Sequence, residues 1–203
     1  MNALLILVKI MDPINLITAI ILFVSMTANW GGAKRGLKTS ITKVIDKPDT
    51  FLQKIPPNIS ALILILIIIG IFGIGTLQIE NDNSVIRIIG LGLFAIFSWL
   101  QVTAYRSLGN SYAPDIVILK DHHLHTTGVY RFIRHPQYLG QILSDLGAGI
   151  ALLSYLVVPL VLFVELPLFL MRASAEEKIL NKHFKEEYTA YKKRSGFILP
   201  FIG

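Results

Sequence analysis

Cysteine is absent from the 203-residue chain, and only 16 % of the residues are charged. Without cysteine the protein has no thiolate nucleophile, no disulfide framework and no cysteine-based zinc or redox site. The charged fraction lies below the roughly 25 % of a soluble domain, and a hydrophobic fraction of 53 % excludes a disordered chain. A mean hydropathy of +0.61 agrees. The composition indicates an integral membrane protein.

Five apolar segments are expected to cross the membrane as helices, since one span needs ~20 mostly apolar residues. The first three are residues 14–30, 59–79 and 85–104. Residues 138–171 are too long for one span and suit two, with a break near Ser154 and Pro159. The predicted fold class is an all-α integral membrane protein of five transmembrane helices, the last two a tight hairpin, with a cytoplasmic C-terminal amphipathic helix.

The chain ends differ in character. Residues 1–12 are expected to form a helical lead-in near the membrane interface. The amphipathic helix after the last span carries one apolar face opposite its lysines. That face consists of Leu180, Phe184, Tyr188 and Tyr191. We divide the chain into a three-helix membrane region, residues 1–105, and residues 106–203, which hold a loop, the hairpin and the tail.

Basic residues gather on one side of a five-span chain. Residues 33–54, residues 106–137 and the tail from Arg172 hold 17 of the 19 lysines and arginines. The positive-inside rule then places the N-terminus outside and the C-terminus in the cytoplasm. The net charge of +6 is therefore attributed to the cytoplasmic membrane surface, and no nucleic-acid partner is expected.

The connection between the third and fourth spans contains four histidines. For three of them we consider a metal site, and for the fourth a role at a helix N-terminus. His122, His123 and His125 lack a carboxylate at ligand spacing, so we expect no metal site. His135 precedes Pro136, which suits the first turn of a helix. His135 is therefore either a structural cap or a ligand contact at a helix N-terminus, where backbone N–H groups attract anions.

Two carboxyl groups are expected at similar depth in the cytoplasmic half of the membrane. At a rise of 1.5 Å per residue, Asp145 lies ~13 Å from Pro136 and Glu165 lies ~10 Å before Arg172. Intramembrane carboxylates are costly and are functional candidates. Alternatively, the two groups bond each other, with one protonated, and hold the hairpin together.

The C-terminal half resembles the isoprenylcysteine carboxyl methyltransferase family, which is related to the phospholipid N-methyltransferases. The shared motifs are, in chain order, Leu108-Gly109, His122-x-Leu124, Gly128-x-Tyr130, Arg134-His135-Pro136-x-Tyr138-x-Gly140, Glu176-Glu177 and Pro200. The resemblance covers residues 105–203. It implies S-adenosylmethionine as cofactor, bound on the cytoplasmic side, and a lipidic or prenylated substrate that enters from the bilayer.

The resemblance also implies a set of site residues. By position, the resemblance assigns to the cofactor pocket His122, Leu124, Gly128, Tyr130, His135, Pro136 and Tyr138, completed by Arg172, Glu176 and Glu177. From their charge and depth rather than from the resemblance, we add Arg134 as a cofactor-binding candidate and take Arg172, Glu165 and Asp145 as catalytic candidates. The chemistry of these residues agrees, since the cofactor carboxylate needs Arg134 or Arg172, and its ammonium or ribose diol needs acceptors such as Glu176. Arg172 and Glu176 share a helical face, so an ordinary i,i+4 ion pair remains the alternative.

Three reactions fit these residues. We expect carboxyl O-methylation of a prenylcysteine-like group, with N-methylation of phosphatidylethanolamine as the alternative. An NADPH-dependent membrane reductase of the sterol-reductase type shares the Arg-His-Pro-x-Tyr-x-Gly segment. Those enzymes usually carry an acidic residue where this chain has Gln141, so the reductase is the weaker alternative.

Overall fold

The structure is a computed structural model that describes residues 12–39, 44–109, 112–120 and 122–203. The lead-in helix expected for residues 1–12 lies outside the described residues, apart from Asp12. The elements, in chain order, are α1 (Pro13–Thr39), β1 (Val44–Asp46), α2 (Ile55–Ile71), α3 (Ser84–Leu108), β2 (Ile118–Leu119), α4 (Pro136–Ala151) and α5 (Val157–Lys192). Strands β1 and β2 pair antiparallel, and short 3-10 turns occupy Phe51–Gln53, Asn81–Asn83 and Gly128–Arg131.

The described helices have membrane character. Three are long and apolar enough to cross a bilayer: Phe51–Ile71, Ser84–Leu108 and Val157–Lys192. The apolar part of α1, Pro13–Asn29, and helix α4, of 16 residues, are shorter. The prediction of a helical integral membrane protein is therefore confirmed, whereas the count of five spans stays a prediction.

Several helix boundaries differ from those expected. Helix α1 does not end at Trp30 but continues through two glycines to Thr39. Helix α2 ends at Ile71, eight residues early, because Gly73 and Gly75 take the left-handed conformation with φ of 84° and 70°. Helix α3 continues beyond residue 104 to Leu108.

The tail helix is not separate from the last apolar helix. Helix α5 runs from Val157 to Lys192 and contains a π-helical turn at Val161–Glu165. The next turn holds Pro167, which has no N–H to donate to a preceding carbonyl, and a local change of hydrogen-bond spacing accommodates it. A bend at Lys185, with φ of 46°, redirects the end of the helix. Tyr188, after this bend, is buried as the amphipathic pattern predicts.

Helices α3 and α4 pack at backbone contact through small residues. A Cβ atom added at Gly147 would lie 2.5 Å from the Phe94 nitrogen, and one added at Gly90 would lie 2.8 Å from the Gly147 oxygen. Gly140 meets the backbone of Gln101 in the same way, at 3.0 Å. Small residues on α4 therefore allow this helix to pack directly against the backbone of α3.

At one end of the helices, a buried arginine holds several segments together. Arg87, 2 % exposed, pairs with Asp12 and donates to the side-chain oxygen of Asn15 and the carbonyl of Ala151. Asn15 in turn donates to the carbonyl of Ile71. We call this the hairpin end. The other end, where residues 112–135 and the tail lie, is the loop end.

Gly147→Ala is expected to destabilise the protein, because the new methyl group collides with the α3 backbone. Overpacking of this kind costs about 1–3 kcal/mol. Gly92→Ala is the matched control, since a Cβ at Gly92 meets nothing within 4 Å. Thermal unfolding in detergent would measure both. A Gly147→Ala midpoint equal to that of Gly92→Ala would contradict the close helix contact.

Candidate active site

A cavity at the loop end joins three segments that are distant in sequence. About 940 Å³ of space, part of it open to solvent, lies between the 112–135 loop, the start of α4 and the second half of α5. Eight predicted site residues line it: His122, Leu124, Tyr130, Arg134, His135, Tyr138, Arg172 and Glu176. We call it the loop cavity.

Glu176 connects the start of α4 to α5. Its carboxylate accepts a hydrogen bond from the Tyr138 hydroxyl and lies 3.5 Å from Nδ1 of His135. Nε of Arg172 lies 3.6 Å from the same carboxylate, so the predicted i,i+4 contact is present. The His135 and Tyr138 rings are stacked, with an interplanar angle of 3°. One carboxylate thus faces one cation, one imidazole and one phenol.

Arg172 also holds the loop in place. Nε donates to the Tyr138 hydroxyl at 2.8 Å, and Nη2 donates to the carbonyl of Pro114 at 2.6 Å. Nη1 donates to the carbonyls of Leu52 and Gln53. These bonds use four of the five guanidinium N–H groups. The side chain therefore joins α5 to two loops as well as lining the cavity.

Arg134 is engaged by the tail. Nε pairs with Glu177, and the two terminal nitrogens donate to the carbonyls of Lys192, Ser195 and Gly203. Glu177 also accepts from Lys192 at 2.7 Å. The whole Arg134 residue is only 6 % exposed. Arg134 thus anchors the tail, with little donor capacity left for a cofactor carboxylate.

Three buried polar atoms in the cavity wall lack a hydrogen-bond partner among the described residues. They are Nδ1 of His122, the hydroxyl of Tyr188 and Nε2 of His135, which lies 3.7 Å from a carboxylate oxygen of Glu177, beyond hydrogen-bond distance. Unpaired buried polar atoms are costly and rare in native proteins. Their concentration in one cavity indicates that a polar ligand completes the site.

The two histidines of the wall differ in their electrostatics. Burial lowers the pKa of His122. Burial alone would also lower the pKa of His135, but the carboxylates of Glu176 and Glu177 outweigh it and raise that pKa. His135 occupies the N-cap position of α4, but its side chain makes no capping hydrogen bond. The imidazole faces the glutamates instead.

The remaining predicted residues lie outside the cavity wall. Pro136 begins α4, as expected, and is buried in the core. Gly128 opens a 3-10 turn with φ of 60°. Glu177 lies behind the cavity wall, where it pairs with the wall residue Arg134. Sequence analysis did not assign several wall residues to the site: Tyr112, Gln137, Ile179, Tyr188 and Tyr191. Of these, Tyr188 and Tyr191 were predicted from the sequence only as part of the apolar face of the tail helix.

A second cavity lies between helices α1 to α4. It holds about 980 Å³ of space, part of it open, and Tyr112 lines both cavities. The Tyr105 ring packs edge to face on Tyr112, and its hydroxyl accepts from Gln137 of the loop-cavity wall at 3.0 Å. We call this second cavity, between helices α1 to α4, the membrane cavity. The two cavities are therefore neighbours, with a wall of tyrosines between them.

Asp145 and Glu165 belong to the membrane cavity and its surroundings. Gln101 donates to Gln141, and Gln141 donates to Asp145 at 2.7 Å. Asp145 interacts with Glu165, which accepts from Ser60 at 2.7 Å. The two carboxyl groups are close enough to interact, but Oε2 of Glu165 has no hydrogen-bond partner among the described residues, so the bond expected between them stays a prediction. Neither residue lines the loop cavity.

The described residues include no group of histidine, aspartate and glutamate side chains that could hold a metal ion.

A family model described as phospholipid methyltransferase matches residues 85–187, which is just over half of the chain. The chain belongs to the phospholipid methyltransferase family. The family match includes every loop-cavity residue except Tyr188 and Tyr191. The division of the chain at residues 105 and 106 stays a prediction.

Curated relatives agree with the motif resemblance. The protein-S-isoprenylcysteine O-methyltransferase of Saccharomyces cerevisiae is 34 % identical over 117 residues, which are 57 % of this chain and 49 % of the yeast protein. That of Tribolium castaneum is 32 % identical over 116 residues, 56 % of this chain and 41 % of the relative. The chain thus spans about half or less of these relatives. The predicted family resemblance is confirmed.

A solved structure shares the fold. It is that of a eukaryotic intramembrane Ras methyltransferase, an isoprenylcysteine carboxyl methyltransferase. The TM-score is 0.63, with 96 % of this chain and 70 % of that chain covered at 23 % identity. The chain therefore shares the overall fold of that structure.

His135 should make stability depend on pH. Because its folded pKa is raised above the unfolded value of about 6.5, its stabilisation is complete below that pH and is lost as pH rises through the folded pKa. We expect the difference in thermal midpoint between wild type and His135→Gln to be largest near about pH 6 and to shrink at alkaline pH. A difference independent of pH would contradict the His135–glutamate interaction.

Proposed function

We propose that the protein is an S-adenosylmethionine-dependent methyltransferase that acts on a membrane-borne lipidic acceptor, with carboxyl O-methylation of a prenylcysteine-like group as its reaction. The observation that carries the proposal is the loop cavity, where Glu176, His135, Tyr138 and three unpaired polar atoms surround one space. The family match and the relatives named above support a methyl donor and a prenylcysteine acceptor.

The residues of the loop cavity fit the cofactor. S-adenosylmethionine is a sulfonium, and when bound it would supply an electrophilic methyl group. Glu176 would attract its positive charges, and the ring of Tyr130 would add a cation–π contact. The unpaired Nδ1 of His122 and the Tyr188 hydroxyl would take polar groups, and the backbone N–H groups at the start of α4 would suit a carboxylate.

The apolar surroundings favour reaction between opposite charges. A carboxylate that attacks a sulfonium loses charge along the reaction, so a site that excludes water raises the rate. The residues need only hold the two partners in line, since proximity carries much of the rate. Arg172, through Tyr138 and Glu176, would fix this geometry rather than transfer a proton.

The membrane cavity would hold the acceptor. Its wall includes apolar residues of α1 and α2, such as Leu22, Met26 and Leu64, and Met26 is 48 % exposed. Helices α1 and α2 are bonded at the hairpin end through Asn15. The cavity lies toward their other ends, where a lipid chain could enter sideways from the bilayer. Its reactive head would then meet the methyl group beside Tyr112, which lines both cavities.

Five spans, with the loop end in the cytoplasm, remain our proposed topology. A single cysteine at Lys120 should react with a membrane-impermeant maleimide from the cytoplasm, and one at Asp82 only from the opposite side. The native chain gives no background because it lacks cysteine. Reaction of both positions from one side would exclude five spans with this orientation.

Tyr188→Phe should weaken cofactor binding without loss of stability, because the hydroxyl is buried and unpaired. We expect a roughly tenfold loss of S-adenosylmethionine affinity, about 1.4 kcal/mol for one hydrogen bond. Tyr191→Phe is the control, since its hydroxyl donates to the carbonyl of Tyr130 at 2.6 Å. That variant should lower the thermal midpoint. Unchanged affinity in Tyr188→Phe would remove the hydroxyl from the site.

The acceptor is tested by methyl transfer from radiolabelled S-adenosylmethionine to a prenylcysteine analogue and, separately, to phosphatidylethanolamine. A carboxylate is ionised at neutral pH and needs no base. Glu165→Gln and Asp145→Asn are therefore expected to retain most activity on the analogue.

N-methylation of a phospholipid amine is the second candidate, and Asp145 favours it. An amine must lose a proton before attack, and Asp145 is a carboxyl group in the membrane-cavity wall. If the wild type methylates phosphatidylethanolamine but not the analogue, and Glu165→Gln abolishes that activity, the carboxyl reaction is wrong and this candidate replaces it.

A further inference from the structure

Four large apolar side chains are exposed together beside the start of α4. Phe132 and Leu199 are each 48 % exposed, Phe201 is 77 % exposed and Ile202 is 63 % exposed. The rings of Phe132 and Phe201 meet edge to face, with centroids 6.4 Å apart. We call these four residues the tail patch. A contiguous apolar surface of this kind marks a contact with a membrane or another apolar partner.

The backbone holds the tail patch in a fixed position. Gly196 donates to the carbonyl of Phe132, and Arg134 donates to the carbonyl of Gly196, each at 2.9 Å. Phe201 has φ of 62°, a conformation that favours glycine over a bulky residue. Because its ring is mostly exposed, packing within the protein does not account for a phenylalanine there. The fold accepts this strain while directing an aromatic ring outward.

The tail patch lies beside the first residue of α4, the helix that we propose as the fourth span. Phe132 is four residues before Pro136, the first residue of α4. The segment that carries the other three side chains is bonded to the same short stretch, residues 132–135. Segments that lie in the membrane interface bury phenylalanine and leucine side chains at the boundary between headgroups and acyl chains.

The charges around the tail patch favour a lipid surface of negative charge. Arg131, Lys193 and Arg194 are exposed, and the guanidinium of Arg131 lies 5.9 Å from the centre of the Phe132 ring. Residues 188–203 contain no aspartate or glutamate. Basic residues near a membrane surface are attracted to anionic headgroups.

We propose that the tail patch is a membrane-interface anchor that inserts between the headgroups at the loop end and is drawn there by anionic lipids. Phe132, Phe201 and Ile202 supply the apolar contact, and Arg131 and Arg194 supply the attraction to the headgroups. The anchor concerns how the protein sits in the bilayer, and it is independent of the proposed reaction.

Nitroxide labels on single cysteines measure this insertion in lipid nanodiscs. Labels at Phe201→Cys and Ile202→Cys should collide often with oxygen and rarely with a water-soluble nickel chelate. Lys120→Cys is the control, because Lys120 is exposed in the turn after β2 and should show the reverse. Equal nickel accessibility at positions 201 and 120 would overturn the anchor and leave the tail patch as a face for a soluble partner.

A second comparison tests the attraction to anionic lipids. Addition of phosphatidylglycerol to phosphatidylcholine nanodiscs should lower nickel accessibility at position 201 at least twofold. The same addition should have no effect after Arg131→Gln and Arg194→Gln together, with the thermal midpoint as a check on folding. An equal response of both proteins, or no response of either, would overturn the role of the basic residues.

Discussion

The pairing of two adjacent glutamates with buried cations is the interaction on which the loop end depends. Glu176 meets His135 and Arg172, while Glu177 meets Arg134. Burying single charges would be prohibitive, and removal of one partner from a buried pair typically costs about 3–5 kcal/mol. The glutamates of α5 thus hold Arg134, His135 and the start of α4 in place, and Glu176 also pairs with Arg172 on the same helix.

The same arginines organise the backbone around the candidate active site. Arg172 binds the carbonyls of Leu52, Gln53 and Pro114, and Arg134 binds carbonyls of the tail. These segments have little regular structure of their own, so side-chain donors satisfy carbonyls that helices and sheets would otherwise pair. A cavity for a polar ligand is thereby built from loops on a rigid helical support, as is common for functional sites.

The sequence predicted which residues form the site better than it predicted the hydrogen bonds that these residues make. Spacing alone placed Arg172 beside Glu176, and the motif order brought His135 and Tyr138 to the same cavity. Single-residue patterns could not show that Arg134 is engaged by the tail, because its partners are backbone carbonyls, which carry no sequence signal. The early end of α2 escaped prediction because apolar residues continue past Gly73, where backbone conformation rather than hydropathy ends the helix.

Titration calorimetry of the purified wild-type protein with S-adenosylmethionine and, separately, with NADPH tests the central claim most directly. The loop cavity predicts saturable binding of S-adenosylmethionine at one site per chain and no binding of NADPH. Binding of NADPH without S-adenosylmethionine would assign the cavity to a reductase, and binding of neither would contradict its role as a cofactor site.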